Sequence, residues 1–122
     1  MTNYKSGKIA EFFARLLFVC KGYTILCKNF KAGKGYNIGE VDFIARKKNT
    51  IVFIEVKKRS SFERAAYAIS EKQKRRIIRG AEFYMKKNPQ YYNFDIRFDA
   101  VLITFPFGLK HFKNAWIYEN VH

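Results

Sequence analysis

At 122 residues the chain is sized for one domain, residues 1–122, around a single core. Hydrophobic residues make up 48% and aromatic residues 18%, which excludes a disordered polymer. Lysine and arginine number 24 against 10 acids, a net charge of +14 that favours polyanionic partners, nucleic acid ahead of an anionic membrane.

No apolar run approaches the roughly 18 residues of a spanning helix, so no membrane association is expected. Residues 1–8 are polar, and Glu11 and Arg15 interrupt the apolar residues that follow. That is no secretory core, and the cytoplasm is the expected location. Residues 6–20 carry Ile9, Phe12, Phe13, Leu16, Leu17 and Cys20 at the spacing of one helical stripe, the face expected to be buried. Glu11 projects nearly opposite that stripe, with Arg15 four residues on, as in an exposed helical ion pair. Gly22 is placed to cap the helix. Cys20 and Cys27, with no histidine near, read as buried thiols rather than a disulfide or a zinc site. Residues 23–30 read as a strand leading into a basic loop whose Lys31 and Lys34 can touch a phosphate backbone.

Residues 39–59, GEVDFIARKKNTIVFIEVKKR, read as two strands folded back on each other. With a two-residue loop at Lys48 and Asn49, Asn49 is available for a left-handed backbone position, and paired positions sum to 97. Asp42 then faces Glu55 and Glu40 faces Lys57, while Glu55 and Lys57 share one side of their strand. Two carboxylates opposed across a sheet repel, the more so when buried. Solvent at the sheet's rim, protonation of one acid, and a bound cation are three ways to relieve this. Oxygen ligands so placed suit a hard divalent ion, Mg²⁺ or Mn²⁺, which accepts one or two carboxylates and keeps several waters. Lys57 would stand beside that ion as a fixed positive charge.

The string from Asp42 to Glu55-Val56-Lys57 resembles the PD-(D/E)xK nuclease core, in which an acid on one strand precedes an acid-x-lysine on the next. The fuller hairpin resembles more narrowly the YraN-like family of predicted endonucleases, and more loosely the archaeal Holliday-junction resolvases. The resemblance spans nearly the whole chain. It implies a restriction-endonuclease-like α/β fold, a mixed sheet flanked by helices on both faces. It implies metal ligation by Asp42 and Glu55, a water-orienting role for Lys57, and a glutamate on the first helix, here Glu11, reaching toward the site. It also implies a basic or amide residue on the helix after the hairpin, Lys72 with Gln73 as its rival. Resolvase-like relatives are dimers, which implies a homodimer. Where the family commonly has glycine after a phenylalanine, this chain has Glu63 after Phe62.

Beyond the hairpin, Lys58 and Arg59 begin a basic exit, and Ser70 with Gln73 forms a capping-box pattern that starts a helix near Glu71. Ile77, Ile78, Ala81, Tyr84 and Met85 form its apolar stripe, and Asn88-Pro89 ends it. Lys74, Arg75 and Arg76 in its first turns are placed to contact phosphate. Residues 94–105 read as a strand entering a sheet covered on both faces. Asp99 on it is expected to pair with a basic neighbour. Pro106 breaks it, and residues 115–118 read as a short final strand or helix end. His111 and His122 read as surface residues. The sequence thus points to a metal-dependent endonuclease, DNA ahead of RNA as substrate. A nucleic-acid-binding module without turnover, or a structural subunit on an acidic protein or RNA, would share its charge.

Overall fold

The computed structural model describes residues 3–33, 38–59, 69–104 and 108–116. The elements are α1 (Asn3–Cys20), β1 (Thr24–Ala32), β2 (Gly39–Lys47), β3 (Thr50–Arg59), α2 (Glu71–Lys87), a short 3₁₀ turn (Pro89–Tyr91), β4 (Asp95–Thr104) and β5 (Gly108–Phe112). The five strands form one sheet in the order β1-β2-β3-β4-β5. Pairing is antiparallel except between β3 and β4, which run parallel and are joined through α2. Helix α1 packs on one face through Ala10, Ala14 and Phe18, against Phe43, Ala45, Val52, Ile54 and Val101. Helix α2 packs on the other through Ile77, Ala81 and Tyr84, against Ile44, Ile51, Phe53 and Phe98. This is the restriction-endonuclease-like α/β arrangement, a mixed sheet covered on both faces. Among the described residues no helix is long and apolar enough to cross a membrane.

The hairpin has the predicted register: Lys47 pairs with Thr50, and the ladder runs back to Phe43 opposite Ile54. The left-handed position falls on Lys48 (φ 53°), not on Asn49, and Arg46 Nε donates to the Lys48 carbonyl at 3.0 Å. Helix α1 ends as expected at Gly22 (φ 92°). The Gly22 N–H donates to the Val19 carbonyl and the Tyr23 N–H to that of Phe18. The Phe18 and Tyr23 rings, 4.7 Å apart, complete the Schellman motif. Helix α2 starts with the full capping box, Ser70 and Gln73 each bonding the other's backbone N–H.

Several expectations are corrected. The expected stripe of α1 is not its buried face: Phe12, Phe13 and Leu16 are about half exposed, and Cys20 is exposed too. The stripe that meets the sheet is Ala10, Ala14 and Phe18, because small side chains let the helix lie close and one large ring closes its end. Turning the helix this way brings Glu11 toward the sheet. His111 is not a surface residue. Strand β5, missed in the sequence, folds back on β4, and the His111 side chain is 3% exposed. Its Nε2 lies 2.7 Å from the wholly buried Asp99, which also takes two 2.8 Å bonds from Arg97 and the Asn114 N–H at 3.0 Å. Burial pushes the Asp99 carboxyl up, but the bonds from His111, Arg97 and Asn114 outweigh it and hold it below its ordinary range. Lys34, Ser61, Phe62, Glu63, Pro106, Ile117, Tyr118 and His122 lie outside the described residues.

Two glycines set how closely α2 approaches β2. A Cβ on Gly39 would fall on the Gly80 backbone nitrogen, 2.8 Å from its Cα, and 2.9 Å from the Arg76 carbonyl. A Cβ on Gly80 would stand 3.1 Å from Val41 Cγ2 and 3.2 Å from the Glu40 nitrogen. Backbone thus meets backbone where β2 delivers Glu40 and Asp42, which fixes the first turns of α2 beside them. Gly39→Ala is expected to lower unfolding free energy by about 1–3 kcal/mol, since neither backbone can yield. Gly7→Ala, in α1 with nothing within 4 Å, is expected to raise it by about 0.5–1 kcal/mol. Urea unfolding of the two variants checks both signs.

Candidate metal and phosphate site

The site forms where the hairpin ladder stops. Val41 packs with the α2-side core and Phe43 with the α1-side core, although strict alternation would put them on one face. The strand therefore shifts at Asp42. Pairing with β3 ends at Phe43 and Ile54, and the Asp42 carboxylate accepts the Val56 N–H at 2.7 Å in place of a ladder partner. Glu55 lies on β3 beside it, and Lys57 Nζ is 3.3 Å from Glu55 Oε1, both side chains being largely buried.

Burial first, and then the neighbouring Glu55 charge, push Asp42 from 3.8 up to about 7, against the opposing Val56 bond and Lys57 charge. Burial also raises Glu55, opposed by Lys57. A hydrogen bond joins the two acids, and both are held above their ordinary range, so the pair keeps a proton that isolated carboxyls would lose. Glu11 comes from α1 on the far side of Asp42. Burial and the Asp42 charge raise it too, and its Oε1 is buried with no hydrogen-bond partner among the described residues. All three acids are held above their ordinary range, and the adjoining Asp42 and Glu55 carboxyls suit a hard cation that accepts one or two carboxylates and keeps several waters. Among the described residues no three His, Cys, Asp or Glu side chains gather closely enough to hold an ion together. Asp42 and Glu55 are thus the inner pair, and Glu11 stands behind them.

The acids lie between two cavities. One, of about 490 Å³, opens on the α1 side and is lined by Lys8, Glu11, Asn29, Lys31, Glu40 and Asp42. A smaller one, of about 60 Å³, lies on the α2 side between Glu40, Glu55, Lys57, Gln73, Arg76 and Ile77. Glu40 does not pair with Lys57 as expected; its carboxylate is 3.5 Å from Arg76 Nη2, because α2 lies so close to β2. Of the rivals on α2, Gln73 lines the cavity, whereas Lys72 is exposed and does not. Arg75 is exposed, and Lys74 is 3.2 Å from Glu71. Lys58 and Arg59 continue β3, Lys58 exposed and Arg59 half-buried. Asn29 was missed in the sequence. It faces Asp42 from β1, between the pairs Lys28–Phe43 and Phe30–Val41, in a left-handed conformation (φ 54°). Its one sequence signal is that asparagine tolerates this conformation better than its neighbours.

The sequence profile described as "Uncharacterised protein family UPF0102" matches residues 10–103, which includes Glu11, Asp42, Glu55, Lys57, Gln73 and Arg76. A UPF0102 protein of Bradyrhizobium sp. (strain BTAi1) is 41% identical over 101 residues, 83% of this chain and 71% of its own. Another, of Paramagnetospirillum magneticum, is 38% identical over 113 residues, 92% of this chain and 87% of its own.

Without divalent ions, the proton on Asp42 persists in the fold to about pH 7 but leaves the unfolded chain near its ordinary 3.8. Between these values the native state binds the extra proton, so stability falls as pH rises from about 4 to about 7. Glu55 and Glu11, also raised, act in the same direction. Asp99, held low, loses its contribution only as pH falls below that window. Thermal unfolding in chelator across this range is expected to show the decline, and Asp42→Asn to flatten it.

Proposed function

The chain belongs to the uncharacterised protein family UPF0102, and within it we propose a metal-dependent endonuclease of the PD-(D/E)xK superfamily. Its substrate is nucleic acid, DNA ahead of RNA, and its reaction is hydrolysis of a phosphodiester bond. The observation that carries this reading is the buried Asp42–Glu55 pair with Lys57 3.3 Å from Glu55, in a chain of net charge +14. Burying two acids side by side costs stability that a bound cation would offset.

Asp42 and Glu55 are the residues that would hold Mg²⁺ or Mn²⁺. When bound, such an ion supplies Lewis-acid polarisation of a phosphoryl oxygen and promotes ionisation of a water at neutral pH. The chain's own residues do the rest. Glu55 holds the Lys57 ammonium in place, and Lys57 in turn orients the attacking water and stabilises the negative charge that develops on phosphorus. The attacking water loses one proton to solvent and its oxygen bonds to phosphorus as the bond to one bridging oxygen breaks, and the departing oxygen takes a proton from solvent. Arg76, steered by Glu40, and Gln73 line the α2-side cavity and contact the phosphate or its neighbour. Lys8, Lys31 and Asn29 line the α1-side cavity and take the strand on the other side. Glu11 belongs to the acid group that draws the cation.

Incubation with single-stranded, duplex and branched DNA and with RNA, with and without Mg²⁺ or Mn²⁺, tests the reading. Metal-dependent fragments are expected, DNA being cut ahead of RNA. Asp42→Asn, Glu55→Ala or Lys57→Ala is expected to slow cleavage by at least about 10²-fold, while binding measured in chelator stays within a few-fold. Wild-type rates in those variants would exclude the mechanism. Binding without metal-dependent products would identify a nucleic-acid-binding module instead.

A further inference from the structure

A third cavity, of about 410 Å³, opens on the α2 side of β4 and β5, within the size range of small-ligand pockets. Leu102, Phe112 and Trp116 form its apolar walls, and Lys74 and Lys113 also line it. Trp116 is the chain's only tryptophan. It is 8% exposed, and its Nε1 is buried with no hydrogen-bond partner among the described residues. A buried N–H without an acceptor is a standing penalty that a ligand bearing one would relieve.

The indole is held in place. It stacks on Phe98 with centroids 5.6 Å apart and planes 21° from parallel. The turn before it is pinned to the buried acid network, the Asn114 N–H to Asp99 at 3.0 Å and the Ala115 N–H to the Phe98 carbonyl at 2.7 Å. Asn114 itself is left-handed, φ 53°. The site is preformed rather than assembled by its ligand.

Its position joins it to the acids. Ala100, on its floor, pairs with Glu55 on one side and with Phe112 on the other. The paired row therefore runs Glu55, Ala100, Phe112 across β3, β4 and β5, with Asp42 beside its first member. Two strand spacings separate Glu55 from Phe112, about 10 Å. A stacked strand covers that in about three nucleotides at 3.4 Å each, and an unstacked one in fewer.

We propose, resting on the nuclease reading above, that this cavity receives one unstacked nucleobase close to the phosphate held at Asp42 and Glu55. The base lies against Phe112 and Leu102, a ring or carbonyl acceptor of the base takes the Trp116 N–H, and Lys74 and Lys113 meet the adjoining phosphate. A duplex keeps its bases stacked and cannot fill the cavity. The preferred substrate therefore has unpaired nucleotides beside the scissile bond.

Because Trp116 is the only tryptophan, its emission reports on this cavity alone. The full chain is titrated in chelator with a labelled single-stranded DNA oligomer, with the same strand carrying only abasic sites, and with duplex. Label polarisation reports binding and indole emission reports docking. All three are expected to bind, with emission changing for the single strand alone. Phe112→Ala, on an exposed edge, is expected to raise the half-saturating strand concentration about tenfold, the loss of one stacking contact, with its melting temperature unchanged. Binding by polarisation with no emission change, or the same change with the abasic strand or duplex, would overturn the base site and leave the nuclease reading standing. An emission change specific to the single strand, in a protein that never cleaves, would support the base site and refute the nuclease. Absence of binding to any strand would overturn both.

Discussion

The interaction on which the site depends is the bond from the Val56 N–H to the Asp42 carboxylate, 2.7 Å long. It occupies the place where the β2–β3 ladder would continue past Phe43 and Ile54. Had the ladder continued, backbone would satisfy backbone and Asp42 would be free to turn outward. Instead the carboxylate serves as part of the sheet's hydrogen bonding, so it must stay buried. Glu55 shares that burial, and both acids are raised in consequence. The polar cost of ending the ladder and the chemical potential of the acid pair are one structural fact.

The helices complete this constraint from both sides. On one, Gly39 and Gly80 remove the side chains that would hold α2 away from β2, and the approach that results carries Gln73 and Arg76 to Glu55 and Glu40. On the other, Ala10 and Ala14 let α1 lie close to the sheet, which brings Glu11 within electrostatic range of Asp42. In both places it is small residues that position charge. One position along β4 from the partner of Glu55, a different device operates, where Asp99 ties Arg97, His111 and the turn at Asn114 into one buried network.

The hairpin was legible because a two-residue period leaves little freedom: once the loop length is set, the pairings from Lys47–Thr50 to Phe43–Ile54 follow and bring Asp42 beside Glu55, whereas the end of the ladder at that point was not legible. The Ser70–Gln73 capping box and the Gly22 cap were legible for the same reason, each being a local rule. The face of α1 was not legible. Phe12, Phe13 and Leu16 of the expected stripe point outward, and periodicity weighs them above two alanines. That inverted the placing of Glu11, whose route to the site depends on which stripe is buried. Strand β5, GLKHF, has no β-branched residue and three of its five positions are exposed, so no strand pattern announces it. With β5 missing, His111 had no visible partner, since Asp99 lies on another strand. The contact of Gly39 with Gly80 is likewise a tertiary fact between residues that look like ordinary punctuation.

On the proposed reading, a divalent cation displaces the proton that Asp42 and Glu55 hold between them. Calorimetric titration with Mn²⁺ at about pH 6, repeated in buffers of different ionisation enthalpy, measures the protons displaced by the ion. Release of about one proton per ion is expected, because Asp42 is protonated there and must ionise to bind. Asp42→Asn is expected to lose both the binding and the release. Tight Mn²⁺ binding with no proton displaced, or undiminished in Asp42→Asn, would contradict the site described.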